Sequence, residues 1–194
     1  YSWVVLVLPH IEQQNLYDRG QDPAYLGTLR RHVVKTFICP SRRQTKIYKG
    51  RAKSDYAANA GTGSNGIVRH TRSPRIRTQM VITSDGASNT LMIGESRIHL
   101  QFLESGGCCG DNEDLWSNGW ADDNVRRGTN PLAPDIKDRA VPDRAADGRF
   151  GGSHSSGMNG VFGDGSVRQV NFGTSANVFR WITVHNDGQV FTVP

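Results

Sequence analysis

The sequence predicts an α+β domain with short helices, several strands and a β-hairpin. Apolar residues recur at helical spacing in the first twenty positions. "GVF" and "VRQVNF" flank a Gly-Asp-Gly turn between 158 and 172, which is typical of a β-hairpin. A chain of 194 residues is enough for one domain. We therefore predict a single domain over 1–194, with a long irregular segment at 105–149 and a C-terminal region at 150–194.

The first part of the chain is predicted to be helical and then extended. Residues 1–20 show helical patterns on both sides of Pro9, which should break or kink the segment because proline lacks an amide donor. Gly20 suits the end of the second helix. A short helix and an extended piece follow, closed by Pro40. Residues 47–62 then predict a strand that ends in a loop of small residues.

The second part begins with an exposed loop at 63–79, which is rich in glycine, serine, proline and arginine. In 81–96, Ser84 or Asp85 can cap a short turn, a glycine permits the bend, and "TLMIGE" continues as a strand. Residues 97–104 extend that strand or form an edge. After the hairpin, 175–190 predicts a helix, a turn at "NDG" and a final strand or tail.

The chain is basic, with a net charge of +5. Basic residues cluster at 29–35, 41–53 and 69–77. The favoured interpretation is that these clusters are solvent-exposed faces, and the alternative is an anionic partner such as a surface polysaccharide. Nucleic acid is not expected, because the sequence shows neither an aromatic stacking platform nor a nucleic-acid-binding motif.

Cys39, Cys108 and Cys109 are the three cysteines. Cys39 and one of the adjacent pair are candidates for a disulfide in an oxidising compartment, or the two neighbours bridge each other with strain. A zinc site would need histidine or acidic ligands to complete it. The apolar run at 3–9 is far shorter than the roughly 20 residues of a membrane-spanning helix.

His154 and Asp164 stand out because nine residues separate them and Gly165 follows the aspartate. The favoured interpretation is a structural pair, in which His154 folds back onto the turn that Asp164 and Gly165 shape. A metal site and catalysis remain open. A hydrolase that uses His154 would need an adjacent nucleophile, and no G-x-S-x-G elbow occurs in the sequence.

The irregular segment at 105–149 contains the closest clusters of residues whose side chains offer oxygen ligands. A calcium ion takes six to eight oxygens from carboxylates, amides and carbonyls, which makes this segment a candidate calcium site. A hydrogen-bonded polar loop is the favoured alternative, because the spacing does not match an EF-hand. The candidate ligands are Asp111, Asn112, Glu113, Asp122 and Asp123.

Trp116 and Trp120 flank "SNG" in the same segment. Tryptophan pairs in such loops can stack on sugar rings, but more often they pin the loop to the core. Pinning is the favoured interpretation.

The ordered motifs together resemble the planctomycete-type prepilin-like family, named for a C-terminal H-x9-DG motif. His154, Asp164 and Gly165 fall on that motif. Any one of the matching pieces is weak, but six in order make a specific signal. They are "SWVVLVLPHIEQQNLYD", "FICPSRR", "SDYAANAGT", "ITSDGASNTLMIGES", "CGDNEDLWSNGW" and "HSSGMNGVFGDGSVRQV".

The resemblance implies a head domain similar to those of type IV pilins and type II secretion pseudopilins, built on an antiparallel sheet. Family members carry a hydrophobic N-terminal helix that anchors them in the inner membrane before assembly and forms the filament core afterwards. That helix is missing from the 194 residues, so we expect the chain to be a fragment or a processed form. Some pseudopilins are similar in carrying calcium in a C-terminal loop, but no ligand position carries over.

We therefore expect a non-enzymatic structural protein at the cell surface, which assembles with itself or with related pilin-like subunits. The alternative is a surface module that binds an anionic polysaccharide, and a second alternative is a hydrolase using His154.

Overall fold

The computed structural model describes residues 2–70, 72–105, 114–116, 120, 124–142, 148–189 and 191. Its helices in these ranges are α1 (Trp3–Val7), α2 (Gln14–Gly20), α3 (Leu26–Leu29), α4 (Thr78–Thr83) and α5 (Ala176–Thr183). Short 3₁₀ turns occur at Leu8–Ile11, Pro23–Tyr25, Lys35–Phe37 and Leu100–Phe102. Its strands are β1 (Tyr56–Asn59), β2 (Leu91–Glu95), β3 (Val125–Arg126), β4 (Ala133–Pro134), β5 (Gly151–Gly152), β6 (Gly157–Phe162) and β7 (Val167–Asn171).

The main sheet has the strand order β3-β1-β2-β6-β7. Neighbouring strands run antiparallel except for β3, which pairs in parallel with β1. β4 and β5 form a separate parallel pair. The α+β class is therefore confirmed, but the sheet is mixed rather than purely antiparallel. The irregular segment supplies β3, which adds a two-residue parallel edge that its composition did not indicate.

Among the residues that the structure describes, apolar side chains form two large clusters and a smaller one around Ala58 and Val125. The first lies among the N-terminal helices, where Val4, Leu8 and Leu29 pack with Trp116. The second lies between the sheet and α5, where Met158, Phe162 and Val170 meet Phe179 and Ile182. Helix α5 begins where the Ser175 hydroxyl accepts a hydrogen bond from the Val178 amide, as a capping residue should.

The N-terminal prediction is confirmed. Pro9 lies in the 3₁₀ turn that separates α1 from α2, where its missing amide donor costs no helical hydrogen bond. The chain then turns at Glu12, whose φ of 61° is in the left-handed region. Trp3 fixes this end of the molecule, because its Nε1 donates to the Asn124 carbonyl at 2.7 Å.

Two strand predictions are wrong in extent. In 47–62 the strand begins only at Tyr56, because Lys49 and Gly50 have positive φ and reverse the chain between Tyr48 and Arg51. Residues 97–104 do not extend β2. The chain instead makes single bridges at Ser96 and His99 and enters a 3₁₀ turn.

No helix within the described ranges is long and apolar enough to cross a bilayer.

Candidate functional site

His154 lies in the bend between β5 and β6, and its ring faces the end of β2. Its Nε2 is 3.1 Å from Glu95 Oε1, 3.7 Å from Cys39 Sγ and 3.1 Å from Asn159 Nδ2. Glu95 is the last residue of β2, and Asn159 lies on the neighbouring strand β6. Cys39 follows the 3₁₀ turn that ends at Phe37. We call Cys39, Glu95 and His154 the Cys-Glu-His cluster.

Both oxygens of Glu95 are engaged. Oε1 faces His154, and Oε2 accepts a hydrogen bond from the backbone amide of Asn159 at 2.8 Å. Gly152 leaves room for this carboxylate, because a Cβ at that position would lie 3.0 Å from Oε2. The carboxylate is therefore fixed between two strands and the bend that carries His154.

The cluster is mostly enclosed. The side chain of Glu95 is fully buried, whereas that of His154 is 23% exposed. Burial, a hydrogen bond to Glu95 and the charge of Glu95 raise the pKa of Cys39 to about 11. Burial, followed by the charges of Cys39 and Glu95, raises the pKa of Tyr56 to about 12. Anionic charge at the thiol is therefore unfavourable unless a cation is present.

A buried ion network lies beside the cluster. Arg42 donates through Nη1 to Asp55 Oδ1 at 3.0 Å and through Nε to Asp135 Oδ2 at 2.9 Å. Asp55 also accepts from the Cys39 amide at 2.8 Å, and Asp135 accepts from the Ser153 hydroxyl. The network thus holds the backbone amide of Cys39 and the side-chain hydroxyl of Ser153, the residue before His154.

This network corrects the interpretation of 41–53 as a solvent-exposed basic face. Arg42, Arg43 and Lys53 are buried at 8%, 5% and 0% exposure. Arg43 also lies 2.8 Å from Asp55. Buried cations are stable only when carboxylates and hydrogen bonds offset their lost hydration, and the sequence does not show those distant partners.

Asp164 and Gly165 shape the turn between β6 and β7, as predicted. Asp164 Oδ1 accepts hydrogen bonds from the amide and the hydroxyl of Ser166, and these hydrogen bonds lower the pKa of Asp164. Gly165 has a φ of 83°. The expected contact between His154 and Asp164 is wrong, because the two residues lie at opposite ends of β6, roughly 15–20 Å apart at strand spacing.

Trp116 is 5% exposed, packs in the N-terminal apolar cluster and donates from Nε1 to the His32 carbonyl at 3.0 Å. The pinning prediction is therefore confirmed for this residue. Trp120 packs beside Ala58 and Val125 and contacts the His70 ring edge-on, with 6.0 Å between ring centroids.

Several predicted site residues lie outside the described ranges, and their predictions stay predictions. They are the candidate calcium ligands Asp111, Asn112, Glu113, Asp122 and Asp123, and the cysteines Cys108 and Cys109. Cys39 forms no disulfide within the part of the chain that the structure describes.

The comparison with protein families adds an independent observation. The family model SBP_bac_10, described as a protein of unknown function (DUF1559), matches residues 1–174. The chain belongs to this family. DUF1559 is the family of the planctomycete prepilin-like proteins, so the resemblance is confirmed at this coarser level. No curated protein and no solved structure matches the chain.

An apolar groove of about 470 Å³ runs across this DUF1559 domain between the N-terminal helices and the face of the sheet. Trp3, Val7 and Ile11 line one side. Ile93 and Val167 line the sheet side, and Asn159 and Tyr56 bring the groove next to the Cys-Glu-His cluster. Val167 is 69% exposed, the highest value among the exposed large hydrophobic residues described.

Sequence reasoning on this DUF1559 chain identified His154 and Cys39 but not their connection. Glu95 and Asn159 were missed, because each lies inside an ordinary strand pattern. The useful signal was polarity: Glu95 ends the apolar run "LMIGE", and a carboxylate at such a position needs a buried partner.

Proposed function

We propose that the protein is a non-enzymatic, extracytoplasmic structural subunit that assembles with copies of itself, as a pilin-like head does. Membership of the DUF1559 family carries this proposal. The α+β head with a five-stranded sheet is compatible with it.

The edge strand β7 is the surface that we assign to a second copy of the chain. It is the last strand of the main sheet, and a sheet edge offers unpaired amides and carbonyls to another chain. Val167, the first residue of β7, lines the apolar groove, so the groove reaches this edge of the sheet. An apolar residue exposed this far next to an apolar groove is typical of an interaction surface.

The test introduces a charge at this edge. Val167→Glu should shift the chain from oligomer to monomer in sedimentation and abolish any filaments seen by electron microscopy. Met80→Glu is the matched control, since Met80 is 48% exposed on α4. The proposal of self-assembly fails if the native chain is a monomer at high concentration, or if the two variants behave alike.

The geometry around His154 also supports a non-enzymatic role. In a nucleophile–histidine–acid triad the nucleophile and the acid contact different ring nitrogens. Here Cys39 Sγ and Glu95 Oε1 both approach Nε2, so the histidine cannot relay a proton between them. Without a bound cation, burial and Glu95 also raise the pKa of Cys39, which is the opposite of what an activated thiol requires.

Binding of an anionic polysaccharide is the second candidate, favoured by one contact. The ring of His70, in the basic segment that begins at Arg69, packs edge-on against the partly buried Trp120. Arg72, Arg75 and Arg77 are exposed in this loop. A sugar chain with carboxylates could therefore meet both cations and an aromatic ring.

This candidate is tested by retention on an immobilised polyuronate as the salt concentration rises. Replacing Arg72, Arg75 and Arg77 with alanine should lower the eluting salt concentration. Replacing the exposed residues Arg19, Arg31 and Arg139 with alanine removes the same number of positive charges and is the control for general charge. Equal losses in the two variants would reject specific binding by this loop.

A further inference from the structure

We propose that Cys39, Glu95 and His154 form a binding site for a thiophilic divalent cation, with Zn²⁺ as the ion that their chemistry suits best. This inference does not depend on the proposed assembly. It rests on the distances between the three ligand atoms, on their chemical types and on the way the fold holds them.

The spacing of the cluster matches tetrahedral coordination. One atom of each residue lies within 4.8 Å of the others. Zinc bonds of about 2.3 Å to sulfur and about 2.0–2.1 Å to nitrogen or oxygen place tetrahedral ligand atoms roughly 3.3–3.6 Å apart. The separation from Cys39 Sγ to His154 Nε2 is 3.7 Å, and from Nε2 to Glu95 Oε1 it is 3.1 Å. For these two pairs, shifts of a few tenths of an ångström would give tetrahedral spacing, and the third pair, Cys39 Sγ and the Glu95 carboxylate, lies within 4.8 Å.

Three polar atoms converge on one ring nitrogen. Cys39 Sγ, Glu95 Oε1 and Asn159 Nδ2 all lie within 3.7 Å of His154 Nε2. An imidazole nitrogen has one hydrogen or one lone pair, so it can satisfy only one of these groups well. A cation at the centre uses the nitrogen lone pair, the carboxylate and the sulfur together. An amide flip of Asn159 would present Oδ1 as a fourth ligand.

The ligand types select the ion. A thiolate and an imidazole favour zinc and similar transition metals, whereas calcium and magnesium take oxygen ligands. One thiolate and one carboxylate balance two positive charges, which matters because Glu95 is fully buried. His154, at 23% side-chain exposure, gives the ion a path from solvent.

The neighbouring hydrogen bonds fix the ligands in place, as partners around metal sites usually do. Asp55 accepts a hydrogen bond from the backbone amide of Cys39, and the backbone amide of Asn159 donates to Glu95 Oε2. Asp135 holds the Ser153 hydroxyl one residue before His154. The three ligands come from segments up to 115 positions apart, yet each has its own anchor.

The test uses the full 194-residue chain, stripped of metal with a chelator and titrated with Co²⁺ as a spectroscopic probe for Zn²⁺. We expect one ion per chain, tetrahedral d–d bands and a thiolate-to-cobalt charge-transfer band. Zn²⁺ should displace the cobalt, and Ca²⁺ should not.

The variants Cys39→Ser, Glu95→Gln and His154→Gln are close in size to the wild type. Cys39→Ser should abolish the charge-transfer band, and each of the three should weaken Zn²⁺ binding by about 100-fold or more. His10→Gln, at an exposed position, and the double variant Cys108→Ser/Cys109→Ser are controls that should retain the band.

Two results would overturn the proposal. One is a wild-type chain that binds no cobalt stoichiometrically or binds it without a thiolate band. The other is loss of the band in the Cys108/Cys109 double variant but not in Cys39→Ser. The wild-type spectrum decides the first point even if a cluster variant fails to fold.

Discussion

Arg42 is a buried side chain on which we expect the stability of the fold to depend strongly. Its guanidinium is fully buried and bonds to Asp55, Asp135 and the Ser96 carbonyl. Burial lowers the pKa of Arg42, but the charges and hydrogen bonds of the two carboxylates together outweigh it and raise the pKa above its usual range. Arg42→Leu leaves both carboxylates without this cation and should cost about 3–5 kcal/mol in the free energy of unfolding. Urea denaturation measures this loss.

Arg72 is the matched control, because it is exposed. Arg72→Leu should change the free energy of unfolding by no more than about 0.5 kcal/mol. Similar losses in both variants would show that the Arg42 network is not a determinant of stability.

His185 predicts a pH dependence. Burial, followed by the charge of Arg69, lowers its pKa from 6.5, and its Nε2 accepts a hydrogen bond from Arg69 at 2.8 Å. The unfolded chain therefore binds a proton more readily than the folded one. The stability due to neutral His185 is present above pH 6.5 and is lost as the pH falls through the folded pKa.

We expect the free energy of unfolding to fall on acidification below pH 6.5, and His185→Gln to reduce that slope. Chemical denaturation at several pH values measures it. His10→Gln changes an exposed histidine and should leave the slope intact. An unchanged slope in His185→Gln would contradict the assigned pKa direction.

For single residues, the sequence predicted local conformation but not the contacts with residues distant in the chain. The Asp-Gly pair indicated a turn correctly, because the need for a positive φ is a local property. The partners of His154 are not local: Glu95 is 59 positions away and Cys39 is 115 positions away. Their meeting depends on strand order, which no spacing in the sequence encodes.

Among the elements, the hairpin of β6 and β7 offers a clean test of backbone conformation. Gly165 has a φ of 83° with no atom near the position of an added Cβ. Gly165→Ala should cost about 1–2 kcal/mol, since the left-handed conformation itself is strained for alanine. Thermal unfolding with a matched denaturant series measures the change.

Gly27 provides the matched control for this change. It lies in α3 with equally open space around a Cβ, but without a positive φ. Gly27→Ala should be neutral or stabilise by up to about 1 kcal/mol. A loss at Gly27 equal to that at Gly165 would mean that φ is not the cause.

The elements that the sequence predicted well are those with local signals. The helices around Pro9, the hairpin and α5 each carry a breaker, a turn or a capping residue. The extended segments at 47–55 and 97–104 were misread, since β-propensity says little about whether a neighbouring strand is available for pairing. β3 was missed for the same reason.

Across the whole molecule, Asn59 joins the main sheet to helix α5. It is fully buried, and its Nδ2 donates to the carbonyls of Leu91 in β2 and Thr183 in α5, both at 2.7 Å. Asn59→Asp keeps the shape but removes both donations and buries a charge. We expect a loss of about 2–4 kcal/mol in the free energy of unfolding.

Asn171→Asp is the control, because Asn171 is exposed and uses its side-chain oxygen to accept from the Gly173 amide, which aspartate also does. Urea unfolding should show little change for this variant. A small effect at Asn59 as well would mean that the link between β2 and α5 is dispensable.

The central position of β2 in the main sheet also limits the rate at which the domain folds. Its partner on one side, β1, precedes it, but its partner on the other side, β6, is made much later in the chain. Proteins dominated by such long-range pairings fold in roughly milliseconds to seconds, because the chain loses conformational entropy in bringing distant segments together before their contacts stabilise it. A nascent chain that has not reached Gly157 has nothing to cover that side of β2. The sheet therefore closes only after the segments that form β6 and β7 have been synthesised.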